Sequence, residues 1–346
     1  MFRRLFCKLL LVAVVVFGLL ALSVAVMAQG RSADAFERVK EVQELHTERL
    51  MALKGVEGTA IGFGQNDRPA VIVLLEKPGG GGIPKTLEGI PVQPVITGKF
   101  YALVPPSGKP DKPGKPPKEP EEPVDPTSRF DRPVPIGVST GHPDITAGTI
   151  GCRVTDGTNI YALSNNHVYA NENLANIGDA VIQPGTFDDG TSPTDNIGTL
   201  SDFVIIDFDD GDNTVDAAIA ETTTSLLGNA TPSDGYGIPK STTTAPAIRM
   251  KVKKYGRTTG LTNGKIAFIN ATVNVGYSSG TARFVNQIII SPGTFSAGGD
   301  SGSLIVTQRG NNPVGLLFAG SSRYTIANPI DAVLDGDGLE VSIDGE

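Results

Sequence analysis

Hydrophobic and polar positions follow different periods in different parts of the chain. Between residues 29 and 104 a stretch with helical spacing is followed by strand-like runs, which predicts a small α+β unit. From about residue 133 to the end, short apolar runs alternate with turn residues, and no long helical period occurs. Many short strands at such spacing predict an antiparallel β-barrel or sandwich.

In the first unit, Phe36, Val39, Val42 and Leu45 recur near helical spacing and predict one apolar helix face. Three strands are expected after the helix. Their predicted positions are Thr59–Phe63, Ala70–Leu75, and either Val92–Val95 or Lys99–Leu103.

The later part is rich in Thr, Val, Ile, Gly and Asn, and Asn263-Gly264 is a strong hairpin signal. The strands that its apolar runs predict include Asn159–Leu163, Phe203–Asp207, Lys265–Val275, Gln287–Ser291, Ser303–Thr307 and Val314–Phe318.

A proline-rich segment separates the two parts. Pro105–Pro126 interleaves prolines with Lys, Glu and Gly, a composition that cannot bury apolar surface and favours an extended polyproline-like conformation. We therefore predict a linker over residues 105–132 and a second domain over residues 133–346.

The chain begins with the features of an export signal. Arg3, Arg4 and Lys8 precede the uncharged apolar run Leu9–Val26, and cleavage is predicted after Ala28. An uncleaved membrane anchor is the alternative. The signal peptide would span residues 1–28, and the mature chain would be secreted or periplasmic.

Charge and cysteine content limit the possible partners. Removal of the signal would change the net charge from −8 to about −11, because three positive charges and no negative ones are lost. An acidic protein is not expected to bind nucleic acid or an anionic membrane. Only Cys152 would remain, so no internal disulfide is possible, and its apolar flanks predict a buried core residue.

Ser301 lies in the segment Ser296–Leu304, whose sequence is SAGGDSGSL. A serine that attacks a carbonyl needs a base for its proton and N–H donors for the oxyanion. Flanking glycines allow a tight backbone that points the N–H groups of Gly299 and Ser301 at one place. A glycine-rich β-turn without chemistry has the same composition, and for this segment alone both readings stay open.

The chain has three histidines, His46, His142 and His167. His167 follows a strand-like stretch, and Asp216 precedes a small apolar run, so the order is His167, Asp216, Ser301. This is one of three known chain orders of the Ser-His-Asp triad. His46 is expected to be a solvated or half-buried helix residue, and His142, the rival base, a loop residue.

Residues from about 133 to 345 resemble a trypsin-like (chymotrypsin-fold) serine protease of the bacterial type. The motifs that carry the resemblance are LSNNHV at Leu163–Val168, VDAAI at Val215–Ile219, YGRTTGLTNG at Tyr255–Gly264 and GDSG at Gly299–Gly302. The Ser-Asn-Asn-His-Val form is that of bacterial relatives of the plant narrow-leaf protein, whereas the family's usual histidine motif is closer to Thr-Ala-Ala-His.

The resemblance implies two antiparallel six-stranded β-barrels with a catalytic triad between them. Ser301 would be the nucleophile, His167 the general base and Asp216 the residue that orients the imidazole. Gly299 and Ser301 would donate the N–H groups of the oxyanion hole. Asp300 is expected to be structural, with a partner that the sequence does not identify.

The resemblance also implies the substrate pocket. Phe295 would lie at its base, Ala319 and Gly320 would flank it, and the strand edge at Leu317–Ser321 would pair with the substrate backbone. An apolar base favours small or medium apolar side chains.

The leading functional hypothesis is therefore an exported serine endopeptidase that acts on protein or peptide substrates through an acyl-enzyme. The alternatives are a catalytically inactive protease-fold binding module and a surface-attachment protein. No metal or other cofactor is expected, and the acidic stretch Asp207–Asp212 is predicted to be a solvated turn rather than a calcium site. Residues 29–104 would be a pro-region that docks on the protease domain or a separate binding module.

Overall fold

Short strands dominate the fold, which we describe from a computed structural model covering residues 35–79, 81–103, 124–209, 211–335 and 338–346. The predicted signal peptide and most of the predicted linker lie outside the described residues. None of the helices among the described residues has both the length and the apolar character needed to cross a membrane.

The helices are few and mostly short: α1 covers residues 35–51, α2 Asn166–Tyr169 and α3 Ile330–Leu334. Single 3-10 turns occur at Gln65–Asp67, Thr186–Asp188 and Gly293–Phe295. The strands are β1 Val56–Phe63, β2 Pro69–Leu75, β3 Thr86–Leu87, β4 Ile90–Ile96, β5 Phe100–Ala102, β6 Ser139–Thr140, β7 Gly148–Thr149, β8 Cys152–Thr155, β9 Ile160–Ser164, β10 Ala180–Ile182, β11 Asn196–Phe203, β12 Asp212–Asn213, β13 Ala218–Thr222, β14 Lys251–Gly256, β15 Gly260–Gly276, β16 Thr281–Ser291, β17 Leu304–Thr307, β18 Pro313–Gly320, β19 Thr325–Pro329 and β20 Ser342–Ile343.

The later part of the chain forms two antiparallel six-stranded units. In the first, the strand order is β10-β11-β13-β9-β8-β20. In the second, the pairings β14–β15, β15–β16, β16–β19, β19–β18, β18–β17 and β17–β14 return to their starting strand and form a closed cycle. The predicted class, mainly β with two six-stranded antiparallel units behind a small α+β segment, is confirmed.

Both units bury apolar side chains, and the cluster of the first unit also includes Leu304, Val306 and Leu316 of the second. In the first, inward side chains such as Ile150, Leu163 and Leu200 pack with α3. In the second, Ile290, Phe295 and others fill the space between the strands. Cys152 is free and buried in the first core, and burial raises the pKa of its thiol, as expected for a structural cysteine.

Residues 35–103 do not form a separate sheet. Strand β1 pairs antiparallel with β15, so that β1, β2, β4 and β3 continue the sheet of the second six-stranded unit. Strand β5, which covers one of the two predicted positions for a third strand, lies apart from them. It pairs with β15 on one side and with β18 on the other.

The side chains of β2 alternate between two cores. Val71 and Val73 pack with Val39 and Val42 of α1, whereas Ala70 and Ile72 and their neighbours pack with residues of β15 and β16. A strand that is buried on both faces is expected to be apolar throughout, as β2 is. The amino-terminal segment and the second unit thus share one hydrophobic core.

Three local predictions are wrong. Asn263-Gly264 is not a hairpin turn but lies inside β15, where Gly264 pairs with Val252 and the ring of Phe295 packs against it. Leu45 is exposed, because α1 turns its opposite side to the sheet. The strand predicted at Phe203–Asp207 is in fact the end of β11 at Phe203, followed by a turn in which Asp207 accepts the backbone N–H of Asp209.

Gly264→Ala is expected to lower the free energy of unfolding by about 1–3 kcal/mol, since the added methyl group overpacks a filled core. A Cβ at Gly264 would lie 2.7 Å from Cδ2 of Phe295 and 2.9 Å from Cγ2 of Ile290. Denaturant unfolding followed by circular dichroism measures the change. Gly81→Ala is the control, since a Cβ there meets no atom within 4 Å. Equal midpoints for the two variants would contradict the packing argument.

Candidate functional site

His167 and Asp216 meet because of the register between two strands. In the first six-stranded unit, Ser164 at the end of β9 pairs with Ala218 at the start of β13. Residues just after β9 and just before β13 therefore emerge at the same end of the sheet. The short helix α2 then brings Nδ1 of His167 within 2.5 Å of Oδ2 of Asp216, and the backbone N–H of His167 donates to Oδ1 over 3.2 Å. Both side chains are buried.

The two asparagines that precede His167 support this arrangement. Nδ2 of Asn165 donates to the backbone carbonyl of Asp216 over 2.7 Å. Nδ2 of Asn166 donates to the carbonyl of Val204, also over 2.7 Å. Asn165 thus ties the segment that carries His167 directly to Asp216, and Asn166 ties it to the residues that follow β11.

Tyr277 is a third partner of Asp216, and the sequence analysis missed it. Its hydroxyl donates to Oδ2 of Asp216 over 2.9 Å, and its ring packs edge-on to the imidazole of His167. Burial and the negative charge of Asp216 raise the pKa of Tyr277 well above its usual value, so the phenol stays a hydrogen-bond donor. Asn328 adds a contact by accepting the backbone N–H of Asp216.

The turn at Ser301 has the tight backbone that its glycines suggest. Gly299 has a φ of +96°, and a Cβ there would lie 2.6 Å from Oγ1 of Thr258, so only glycine fits without strain. The N–H of Gly299 donates to the backbone carbonyl oxygen of Leu103 over 2.7 Å. The hydroxyl of Ser301 lies 3.1 Å from the same oxygen and 3.1 Å from the carbonyl oxygen of Phe318.

Asp300 has the partner that the sequence did not identify. Nζ of Lys254 lies 3.3 Å from Oδ2 of Asp300, and both side chains are fully buried. Asp300 also accepts the backbone N–H groups of Thr258 and Ala297 and the hydroxyl of Thr259. Burial lowers the pKa of Lys254 and the neighbouring Asp300 opposes this effect. The side chain of Asp300 thereby links the serine turn to β14 and to the residues that follow it.

One short strand, β7, connects the turn of Ser301 with the strand that leads to His167. The N–H of Thr149 in β7 donates to the carbonyl of Ser301 over 2.7 Å. The carbonyl of Thr149 accepts the hydroxyl of Ser164 over 2.8 Å. Nε2 of His167 is buried and makes no hydrogen bond among the described residues.

The predicted pocket residues lie around Leu103. Phe295 is fully buried in the apolar cluster against which the side chain of Leu103 packs. Ala319 and Gly320 belong to β18 and pair with Ala102 and Tyr101 of β5. The predicted strand edge is thus occupied by another segment of the same chain.

The remaining histidines lie elsewhere. Nε2 of His142 is 3.3 Å from Asp179, and its Nδ1 accepts the backbone N–H of Asp144, so both ring nitrogens of this buried residue are engaged away from Ser301. His46 is half-buried on α1, 3.4 Å from Glu88.

In the acidic stretch, Asp207 accepts the backbone N–H of Asp209, and Asp212 contacts an arginine. Oδ1 of Asp212 lies 2.9 Å from Nε of Arg283. Across the part of the chain that the structure describes, no three His, Cys, Asp or Glu side chains are grouped so that they could hold a metal ion.

A search of solved structures finds bacterial serine proteases that are similar to the later part of the chain at low identity. A glutamic acid-specific serine protease is 20% identical with a TM-score of 0.44, over 61% of this chain and 100% of that one. Protease A of Thermobifida fusca is 18% identical with a TM-score of 0.42, over 62% and 100%. A Cellulomonas bogoriensis chymotrypsin is 18% identical with a TM-score of 0.42, over 63% and 100%. No model of a known protein family and no curated protein matches the sequence.

Lys254→Met is expected to destabilise the protein by about 3–5 kcal/mol, because it leaves the carboxylate of Asp300 buried without its counter-charge. The double variant Lys254→Met/Asp300→Asn should recover part of this loss, since it removes the unpaired charge. Thermal and denaturant unfolding measure both effects. Lys240→Met, which breaks an exposed pair with Glu346, is the matched control and should cost less than about 1 kcal/mol. If Lys254→Met behaves like Lys240→Met, the buried pair does not stabilise the turn.

Proposed function

We propose that the protein is a serine endopeptidase in which Ser301 is the nucleophile, His167 the general base and Asp216 the residue that orients the imidazole. One observation carries this proposal. The buried His167–Asp216 pair leaves Nε2 of His167 without a hydrogen-bond partner, while β7 ties the strand before His167 to the turn of Ser301. An imidazole fixed through Nδ1 has its other nitrogen free to accept a proton.

In the proposed reaction, the hydroxyl of Ser301 attacks the carbonyl carbon of the substrate and its proton passes to Nε2 of His167. The same proton then goes to the leaving amine, and water hydrolyses the resulting ester by the reverse transfer. The oxyanion is stabilised by the N–H groups of Gly299 and Ser301. Each such donor contributes about 3–4 kcal/mol of transition-state stabilisation.

The surroundings of Asp216 suit its proposed role. Its carboxylate accepts hydrogen bonds from the N–H of His167, from Nδ1 of His167 and from the hydroxyl of Tyr277. Three donors compensate for the removal of the carboxylate from water, and this arrangement suits a residue that stabilises the imidazolium formed during the reaction.

The proposal includes export of the enzyme. Its basis is the basic and apolar amino-terminal segment of the sequence. A net charge of about −11 after removal of the segment fits a soluble exported protein.

Reaction with a fluorophosphonate distinguishes an enzyme from an inactive binding module with the same fold, because the reagent modifies only an activated serine. Because residues 100–103 lie on the site, the assay uses both the wild-type chain and Leu103→Glu. The carboxylate of this variant does not fit the apolar surroundings of Phe295. Stoichiometric labelling of Ser301 is expected in Leu103→Glu, together with hydrolysis of casein.

Ser301→Ala, made in the Leu103→Glu chain, is expected to abolish labelling and to lower kcat/KM for peptide hydrolysis by at least about 10⁴-fold, because the nucleophile is lost. The thermal midpoint should change little, since the variant loses only hydrogen bonds of about 1 kcal/mol. Peptide hydrolysis and differential scanning calorimetry provide the two measurements.

His167→Ala should be as damaging as Ser301→Ala and should add little to it, because members of a triad act as a unit. His142→Ala is the control that keeps its activity. Full activity in Ser301→Ala would refute the assignment of the nucleophile. Loss of activity in His142→Ala but not in His167→Ala would refute the assignment of the base.

A further inference from the structure

The peptide group between Gly298 and Gly299 carries one of the two N–H groups assigned to the oxyanion. A peptide flanked by two glycines rotates easily, because neither residue has a Cβ that restricts its backbone angles. Rotation by half a turn would replace the N–H of Gly299 by the carbonyl of Gly298, whose oxygen repels an oxyanion. The donor must therefore be held in place by contacts from outside the turn.

Thr258, which lies in the motif YGRTTG just after β14, supplies such a contact. Its hydroxyl donates to the carbonyl oxygen of Gly298 over 2.7 Å. In a trans peptide group the C=O and the N–H point in opposite directions, so the N–H of Gly299 is directed away from Thr258. That N–H donates to the carbonyl oxygen of Leu103 over 2.7 Å, and the hydroxyl of Ser301 is 3.1 Å from the same oxygen. The donor thus faces the side of the proposed nucleophile.

Arg257 fixes the direction of the Thr258 hydroxyl. Its Nη1 donates to Oγ1 of Thr258 over 3.1 Å. A guanidinium has no acceptor atom, so the hydroxyl accepts from it and keeps its own proton for the carbonyl of Gly298. The positive charge of Arg257 also polarises this chain of hydrogen bonds, which makes the hydroxyl a stronger donor.

A carboxylate of the first six-stranded unit immobilises the guanidinium of Arg257. Nε donates to Oδ2 of Asp188 over 2.8 Å and Nη2 donates to Oδ1, so the pair is bidentate. Both side chains are buried. The ring centre of Phe187 lies 5.0 Å from the guanidinium carbon, and the hydroxyl of Ser139 donates to Asp188 over 2.6 Å. The 3-10 turn between β10 and β11 thereby reaches the serine turn through Arg257.

The main chain of Arg257 acts on the next peptide group of the serine turn. Its N–H donates to Oγ1 of Thr149 over 3.0 Å, and the hydroxyl of Thr149 donates to the carbonyl oxygen of Gly299 over 2.9 Å. The carbonyls of Gly298 and Gly299 are thus each held by a threonine whose hydroxyl accepts an N–H group of Arg257. None of these hydrogen bonds involves a side chain of the proposed triad, so the network can be altered without touching the reacting groups.

From these contacts we propose that Thr258 and Arg257 are positioning residues that keep the N–H of Gly299 directed at the oxyanion. The proposal rests on the proposed function, since attack by Ser301 creates that oxyanion. The negative charge develops only in the transition state, so the contribution of the peptide group is made there and not in substrate binding. Loss of the Thr258 hydroxyl should therefore lower kcat and leave KM nearly unchanged.

The test compares Thr258→Val with Thr258→Ser, both made in the Leu103→Glu chain because residues 100–103 lie on the site. Valine keeps the shape of threonine without its hydroxyl, whereas serine keeps the hydroxyl. Thr258→Val should lower kcat for peptide hydrolysis and the rate of fluorophosphonate labelling by about 10-fold, with KM changed less than about twofold. This is less than the ~10²–10³-fold loss on outright removal of an oxyanion donor, because the peptide group is still present. Thr258→Ser should stay within about threefold of the parent.

Thr307→Val is the matched control. The hydroxyl of Thr307 donates to the carbonyl oxygen of Arg309 over 2.8 Å, at the end of β17 that lies away from Ser301, so kcat should not change.

The part played by Arg257 is measured in Arg257→Met/Asp188→Asn, which removes both charges of the buried pair and leaves neither unpaired. Its kcat should fall at least about threefold. Adding Thr258→Val to this variant should lower kcat by less than about threefold more, because both residues act through one chain of hydrogen bonds.

Four results would overturn the proposal. They are an unchanged kcat in Thr258→Val, a loss of the same size in Thr258→Ser, an equal loss in Thr307→Val, and a loss that appears in KM alone. Labelling of the Leu103→Glu parent by the fluorophosphonate tells whether the proposed function fails as well. A labelled parent with an equally reactive Thr258→Val leaves the enzyme standing and removes only the positioning role, whereas an unlabelled parent removes both.

Discussion

The backbone of strand β15 is the constraint on which the rest of the structure depends. Its 17 consecutive residues present two rows of N–H and C=O groups that must be satisfied wherever they are buried. Strand β16 pairs with one edge. The other edge is covered in succession by β14, β1 and β5, so three segments from distant parts of the chain meet on one strand.

This succession explains why the site and the amino-terminal segment are coupled. The strand ends at Gly276, directly before Tyr277, whose hydroxyl reaches Asp216. Strand β5 reaches the edge of β18 because it also pairs with the last residues of β15. The residues around Asp216 and strand β5 are therefore positioned by the same strand, β15, although they belong to different parts of the sequence.

The sequence was informative where chemistry is concentrated in short motifs. The order of His167, Asp216 and Ser301 identified the residues of the candidate site, and the structure places the first two in direct contact. The alternation of apolar residues predicted most of the strands. Tyr277 and Leu103 could not be found in this way, since they contact Asp216 and Ser301 across 61 and 198 positions of the chain. Only the folded sheet brings them there.

Local sequence gave a wrong or incomplete prediction where tertiary packing outweighs the conformational preference of the residues. Asn263-Gly264 is a good turn in isolation, yet Gly264 lies inside β15 because the ring of Phe295 needs the space that a side chain would fill. Lys254 belongs to no recognisable sequence motif. Its pairing with Asp300 depends on β14 passing beside the serine turn. The proline-rich segment left open whether the parts on either side of it touch, and the described strands on either side share one sheet. The predicted domain boundaries themselves stay predictions.

The pairing of β1 with β15 means that the amino-terminal segment also covers a long sheet edge. Departure of residues 35–103 would uncover the edge of β15 between Phe268 and Val273, with unpaired backbone groups next to apolar side chains that are now buried. Exposed edges of this kind recruit other strands and promote aggregation. The later part of the chain on its own would thus need another strand on that edge, from a second protein or from another copy of itself, to avoid aggregation.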